Sequence, residues 1–147
     1  MAIKNYSTTV DSHKTCGQVQ ALLAKKGAKQ LQIMYHDGDP IGIEFSIVLN
    51  DREYWYRLPA EPDGVLMVMT TDRNVPKGLK NRQQATRVAW RIIHDWISSQ
   101  IAMIESNKLM TMDRIFLPFL LTQNQKGETV TIYDQFKSGQ KLLPSGQ

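Results

Sequence analysis

The feature that most constrains the fold is a long stretch, from about residue 82 to residue 106, in which apolar residues recur at helical spacing. One stripe consists of Val88, Ile92, Trp96 and Ile104, and a second set that widens it consists of Ala89, Ile93, Ile97 and Ile101. An apolar face this wide is typical of a central helix that is covered on more than one side. Because Trp90 lies away from the first stripe, the pattern also predicts self-association, as a homodimer or a higher homo-oligomer.

Three segments before this helix alternate between apolar and polar residues, as β-strands do. They are residues 30–36, 41–49 and 53–58, and the turns between them are rich in Asp, Gly, Pro and Asn. In the second segment Ile43 and Phe45 face one side, whereas Glu44 faces the other. The pattern predicts an antiparallel meander with one face open to solvent, to which residues 5–10 are a candidate fourth strand.

Shorter helices are expected before and after the meander in the sequence. Thr15 and Gln18 match a capping box, which predicts a helix over 15–26, and Pro62 suits the first turn of a helix over 62–70. Residues 72–81 are predicted to be a loop, residues 113–121 a strand or a short helix, and residues 129–139 an amphipathic helix.

These elements predict an α+β fold: a small antiparallel β-meander packed against one long central helix and two or three shorter helices. Residues 1–137 are expected to form a single domain, and residues 138–147 a flexible tail. A chain of 147 residues with one cysteine, Cys16, has no intramolecular disulfide, which favours a reducing setting. No apolar run approaches the roughly 18 residues needed to span a membrane, so no membrane partner is expected.

Five segments of the chain carry a family resemblance. They are, in order, NYSTTVDSHKT, YRLPA, ATRVAWRIIHDWISSQ, IFLPFLL and IYDQF. Taken together they resemble a family of small uncharacterised accessory proteins of bacteriophages and prophages. The resemblance spans most of the chain, apart from the loop 72–79 and the tail beyond Lys137. It implies a protein that acts in the cytoplasm of a bacterial host, where such proteins handle nucleic acid or counter a host defence.

Positive charge is concentrated around the start of the long helix, in a chain whose net charge is +4. The cations are Arg73, Lys77, Lys80, Arg82 and Arg87, and only Asp72 opposes them. The free N–H groups and the dipole of a helix N-terminus also favour an anion. Arg87, Arg91 and His94 follow on one helical face, where Asp95 is placed to hold Arg91. The pattern indicates a phosphate site; the alternative interpretation is a solvated helix face.

A second group of donors precedes the first helix, in the segment DSHKT. It comprises Ser12, His13, Lys14 and Thr15. Two helix N-termini of this kind are able to hold one ligand with several phosphates. The alternative interpretation is an ordinary helix cap with exposed neighbours.

Aromatic residues alternate along the third strand, where Tyr54 and Tyr56 face one side and Trp55 and Arg57 the other. Whichever of these faces is open to solvent is able to stack a nucleic-acid base. The alternative is a core face on one side and ordinary sheet aromatics on the other.

Catalytic patterns are weak in this sequence. The three histidines, His13, His36 and His94, lack the spacing of metal ligands, and HDGDP is better explained as a turn. Cys16 stands at a helix start, where a low thiol pKa is possible, but a packed side chain explains it more simply. We therefore expect no catalytic residue, no metal and no cofactor.

The function predicted from these features is that of a phage-encoded, non-enzymatic protein that captures an anionic, phosphate-bearing ligand of the nucleotide type, in order to counter a host immune signal. Two alternatives stay open: a nucleic-acid-binding protein, and a protein that inhibits a host nuclease or CRISPR effector by direct interaction. An open basic stripe with strong salt dependence distinguishes the nucleic-acid alternative from a site for a small ligand.

Overall fold

Residues 1–139 are described by the structure, a computed structural model, so the predicted tail lies outside the described residues from position 140 onward. The helices are α1 (Ser12–Lys25), α2 (Pro62–Thr71), α3 (Arg82–Ser106), α4 (Met112–Ile115) and α5 (Ile132–Lys137). The strands are β1 (Leu31–His36), β2 (Asp39–Leu49), β3 (Arg52–Pro59), β4 (Leu121–Gln123) and β5 (Thr129–Thr131). Short 3₁₀ turns occupy Lys77–Leu79 and Leu117–Phe119. The predicted α+β class is confirmed.

Helix α3 spans the whole of the predicted stretch. Asn81 caps it, since its side chain accepts a hydrogen bond from the Gln84 N–H. Both α1 and α2 pack against α3, which is therefore the central helix of the fold. Among residues 1–139, no helix is long and apolar enough to cross a membrane.

The strands β1, β2 and β3 form the predicted antiparallel meander, with β2 in the middle. Its two turns use residues that tolerate positive φ: Asp37 and Gly38 in the first, Asn50 and Asp51 in the second. On the core face Phe45 stacks on Tyr56, with 5.2 Å between their ring centroids. The alternation along β2 and β3 thus fixes which residues face the helices.

The outer face of the sheet is less open than predicted, because its centre is covered. Glu44 and Ser46 are both buried, although they alternate with core residues. Met34 of β1 lies over Gly42, where a Cβ atom would collide with it. Long side chains on the two outer strands therefore shield the small or polar residues of the middle strand.

Helix α1 begins three residues earlier than predicted, and the expected capping box is wrong. Asp11 is the N-cap residue, and its side chain accepts a hydrogen bond from the His13 N–H. Thr15 lies inside the helix, fully buried, and its Oγ1 donates to the Asp11 carbonyl oxygen. An aspartate caps the free N–H groups of the first turn as well as a threonine does. Asp11, four residues before Thr15, therefore serves as the N-cap in its place.

Two terminal segments also differ from expectation. Residues 5–10 form no strand; they run along α3, where the carbonyl oxygens of Tyr6 and Thr8 accept hydrogen bonds from the buried Gln84 side chain. The predicted helix 129–139 is split into β5 and the short helix α5. Residues 129–131 form β5 and pair antiparallel with β4, and the turn between the two strands contains Gly127 at positive φ.

Most apolar residues of α3 are buried within one chain, and Ile92, Trp96 and Ile104 are partly buried against the core. Trp90 is fully buried, and its Nε1 donates to the Pro40 carbonyl oxygen at 2.8 Å. Trp96 packs edge-on against Phe116 and Phe119. The position of Trp90 away from the first stripe, which motivated self-association, is thus explained by intramolecular packing, and self-association stays a prediction without that support.

Cys16 lies on the buried face of α1, where its side chain packs in the core. Burial, together with the nearby negative charge of Asp11, raises the pKa of its thiol to about 12. At pH 8 only about one thiol in ten thousand is then ionised, and the thiolate is the reactive form. We expect iodoacetamide to leave Cys16 unmodified in the folded protein and to alkylate it rapidly in denaturant, as measured by intact-mass spectrometry. Equal rates in both states would contradict this account.

Candidate anion site at two helix N-termini

The helices α1 and α3 lie side by side and point in the same direction. The Arg91 Nη1 donates to Gln18 Oε1 at 2.7 Å, and Lys26 Nζ lies 3.5 Å from Glu105 Oε2. Residue numbers therefore increase together along the two helices. Their N-termini, Asp11–Thr15 and Lys80–Arg87, therefore lie at the same end of the helix pair, and we call them the paired helix ends.

Lys14 and Arg87 both lie on the N-terminal side of the contact that joins the two helices. Lys14 stands one turn before Gln18, and Arg87 one turn before Arg91, which is the partner of Gln18. Lys14 is exposed and Arg87 half-buried. The Arg87 Nη1 donates to Gln84 Oε1 at 3.3 Å, and within residues 1–139 it has no carboxylate partner. The two cations thus remain available to an external anion.

Further donors surround this pair. The Asn81 cap uses only the Gln84 N–H, so the N–H groups of Arg82 and Gln83 lack an acceptor within the helix. Half-buried Lys80 precedes the cap. His13 is exposed and stacks on Tyr35, with 6.3 Å between their ring centroids, and its Nδ1 lies 3.4 Å from Oδ1 of Asp11, the N-cap of α1. The paired helix ends therefore offer N–H donors and positive charge, which suits the binding of an anion.

Arg82, by contrast, is directed toward carboxylates of the same chain. Its Nη1 donates to Asp63 Oδ1 in the first turn of α2, and its Nε lies 3.9 Å from Asp39 Oδ2. These two acidic groups already balance its charge. The structure does not place Arg82 with Lys14 and Arg87 as a free anion-binding group.

Arg91 and His94 belong to a polar network around Asp95. Arg91 Nη2 lies 3.9 Å and His94 Nδ1 lies 3.1 Å from Asp95 Oδ1, while Asn5 Nδ2 donates to Asp95 Oδ2 at 2.9 Å. Lys4 Nζ is 3.5 Å from the same carboxylate. This network fastens the N-terminal segment to α3. The Arg91–Asp95 pair agrees with the predicted spacing of four, whereas the contacts of Gln18 with Arg91 and of Asn5 with Asp95 come from residues far away in sequence, which the spacing along one helix does not reveal.

Ser12 and Thr15 are buried at the start of α1, with 8% and 0% of their surface exposed. Their side chains are therefore not accessible to a ligand, and their role in this structure is packing. Of the nine predicted site residues, Lys14, Lys80, Arg87 and His13 present side chains at the paired helix ends. Within the part of the chain that the structure describes, no group of three or more His, Cys, Asp or Glu side chains is placed to hold a metal ion.

The Asp95 network predicts a pH-dependent contribution to stability. Partial burial by itself raises the pKa of the Asp95 carboxyl, but hydrogen bonds from Asn5 and His94, with Lys4 and Arg91 nearby, hold that pKa below its usual value. A carboxyl with a depressed pKa stabilises the fold above its unfolded pKa of about 3.9, and this stabilisation is lost as the pH falls through the folded value.

We therefore expect Asp95→Asn to lower the free energy of unfolding by about 1.5 kcal/mol at pH 7. The difference from the wild type should begin to shrink as the pH falls below about 4, where the unfolded carboxyl takes up a proton, and should disappear once the pH lies below the depressed pKa of the folded carboxyl. Urea denaturation at pH 7 and pH 3 measures it, with Glu61→Gln as the control, since Glu61 is exposed and its side chain caps nothing. A difference that stays the same at both pH values would contradict the role assigned to the charge.

The ion pair between Glu44 and Arg57 was not predicted from the sequence. Glu44 is buried on the outer face of the sheet, and the Arg57 Nε donates to its Oε2 at 2.6 Å. Both residues are visible in the sequence, but their pairing depends on the β2–β3 register, which places them directly opposite each other.

Comparisons of the chain with protein-family models, with curated proteins and with solved structures find no match.

Proposed function

We propose that the chain is a non-enzymatic binding protein that captures an anionic, phosphate-bearing small ligand of the nucleotide type at the paired helix ends. The observation that carries the proposal is the parallel arrangement of α1 and α3, in which Lys14 and Arg87 each stand one turn before the Gln18–Arg91 contact, toward the N-termini of both helices. Two helix dipoles and two cations without carboxylate partners then act on one region of the surface.

A small ligand fits this arrangement better than a nucleic-acid backbone does. A backbone requires a continuous row of cations, whereas Arg82 is balanced by Asp63 and Arg91 is engaged by Gln18 and Asp95. Of the arginines on α3, only Arg87 lacks a carboxylate partner among the described residues, so uncommitted positive charge does not extend along this helix.

The biological setting stays a prediction. The resemblance implies a phage accessory protein in a bacterial cytoplasm, and capture of a nucleotide signal used by host immunity is the role that such a binder would serve there. Direct inhibition of a host nuclease or CRISPR effector is the remaining alternative, and no contact in the described residues favours it.

The test is calorimetric titration of the protein with tripolyphosphate, with ATP and with a short single-stranded oligonucleotide, each at low and at moderate salt. We expect saturable one-to-one binding of tripolyphosphate and ATP. The oligonucleotide should bind more weakly per phosphate. Tight oligonucleotide binding that falls steeply with salt would favour the nucleic-acid alternative, and no binding of any of the three would overturn the proposal.

A further inference from the structure

The outer face of the sheet contains a buried carboxylate, that of Glu44. Glu44 lies at the centre of β2 with only 7% of its surface exposed. Burying a carboxylate is costly unless it is paired and hydrogen-bonded. Its partners are the Gln32 Nε2 on β1 and the Arg57 Nε on β3, both donating to it from the neighbouring strands. The core packs on the other face of the sheet and does not require this charge.

The consequence of this pairing is a fixed arginine with a free end. Arg57 keeps 39% of its side chain exposed, and its Nε is engaged by Glu44. In the described part of the chain, neither Nη nitrogen of Arg57 donates to a protein acceptor. A guanidinium held in this way presents two parallel N–H groups, which match the two oxygens of a carboxylate.

Arg57 also lines a surface cavity at the β3 edge. The cavity has a volume of about 480 Å³, which lies in the range of small-molecule sites. Its walls are mostly apolar. Beside Arg57, the side chains of Pro59, Phe119 and Tyr133 line it and are able to pack against a ligand. The combination of one cation with an aromatic wall is typical of a site that holds an anionic group at one end of an apolar ligand.

The charges around the cavity favour a single negative charge over a phosphate dianion. Asp134 lines the same cavity, where its carboxylate accepts a hydrogen bond from the Thr131 N–H, and Glu44 lies behind Arg57. Because Glu44 already balances the charge of Arg57 and Asp134 adds a negative charge, net attraction does not hold the ligand; the two free Nη groups of Arg57 do, through hydrogen bonds, and a dianion meets more repulsion there than a monoanion does.

We propose that this cavity binds a small carboxylate with an aromatic or aliphatic body. The carboxylate oxygens accept hydrogen bonds from the two Nη groups of Arg57, and the apolar body packs against Phe119 and Tyr133. Glu44 acts as a positioning residue that holds the guanidinium in place. The cavity is lined by residues of β3, the Leu117–Phe119 turn, β5 and α5, none of which belongs to the paired helix ends, and the proposal is independent of the anion site there.

The experiment compares two probes of the same shape, phenylbutanoate and its neutral amide phenylbutanamide, by NMR titration of the wild-type protein. We expect the carboxylate to bind about ten- to a hundredfold more tightly than the amide, because only the carboxylate makes charge-assisted hydrogen bonds with Arg57. Chemical shifts should change around Arg57 and Tyr133. Equal affinities, or no saturable binding of either probe, would overturn the proposal without any variant.

Variants then assign the contacts. Arg57→Met should remove the preference for the carboxylate, and Tyr133→Ala, at an exposed position, should weaken both probes by a similar factor. Arg52→Met, an exposed arginine on the same strand, is the matched control and should leave both affinities unchanged. A preference that survives Arg57→Met in the folded protein, or that Arg52→Met abolishes as well, would contradict the assignment.

Discussion

Replacement of Trp90 by alanine is expected to lower the free energy of unfolding by about 3–5 kcal/mol, as large-to-small substitutions of buried aromatics do. Trp90 is fully buried in the middle of α3, and its Nε1 donates to the Pro40 carbonyl oxygen. The substitution leaves a cavity and also deprives a buried carbonyl of its donor. Since small domains are stable by only roughly 5–15 kcal/mol, the variant loses a large share of its stability.

Urea denaturation monitored by circular dichroism measures this effect, and Trp55→Ala is the matched control. Trp55 is half-buried on the outer face of the sheet, so its truncation should cost about 1 kcal/mol. Similar losses for the two variants would contradict the central position that the fold assigns to Trp90.

Replacement of Arg87 by methionine is expected to weaken the binding of tripolyphosphate or ATP by about ten- to a hundredfold. A charge-assisted hydrogen bond contributes about 1.5–3 kcal/mol, and each 1.4 kcal/mol is a factor of about ten in affinity. Methionine keeps the apolar stem that the half-buried position requires, so the fold should persist. Arg87→Lys should bind less tightly than wild type, because an ammonium lacks the planar fork of a guanidinium.

The control for this prediction is Arg52→Met, which removes one positive charge from β3 and should leave phosphate binding nearly unchanged. Calorimetric titration gives the affinities, and a thermal melt verifies folding. If Arg87→Met folds and binds both ligands as the wild type does, Arg87 is a solvated side chain, as the alternative interpretation of the sequence holds.

Periodicity predicted the regular elements of this fold well. The bounds of α3 coincide with its apolar stripe, because one long amphipathic helix has a strong period and Asn81 marks its start. The strands β1, β2 and β3 were predicted with similar success, since turn residues separate them. Short elements such as α4 and α5 were harder, because four to six residues are too few to define a period.

The site was only partly predictable, since partners distant in sequence decide which cations are free. Spacing along α3 correctly placed Arg87, Arg91 and His94 on one face. It did not reveal that Asn5 and Gln18 contact that face and engage Asp95 and Arg91. The parallel packing of α1 on α3, which puts Lys14 and Arg87 at the same end of the helix pair, likewise depends on tertiary structure.

The most direct test of the central claim is an NMR titration of isotope-labelled protein with tripolyphosphate, observing the backbone amides of both helix N-termini at once. The proposal predicts saturable shifts in residues 12–15 and in residues 82–87 that follow one binding curve, because one ligand contacts both helices. Shifts at only one of the two N-termini, shifts elsewhere in the molecule, or none at all would contradict the claim that α1 and α3 together form an anion site.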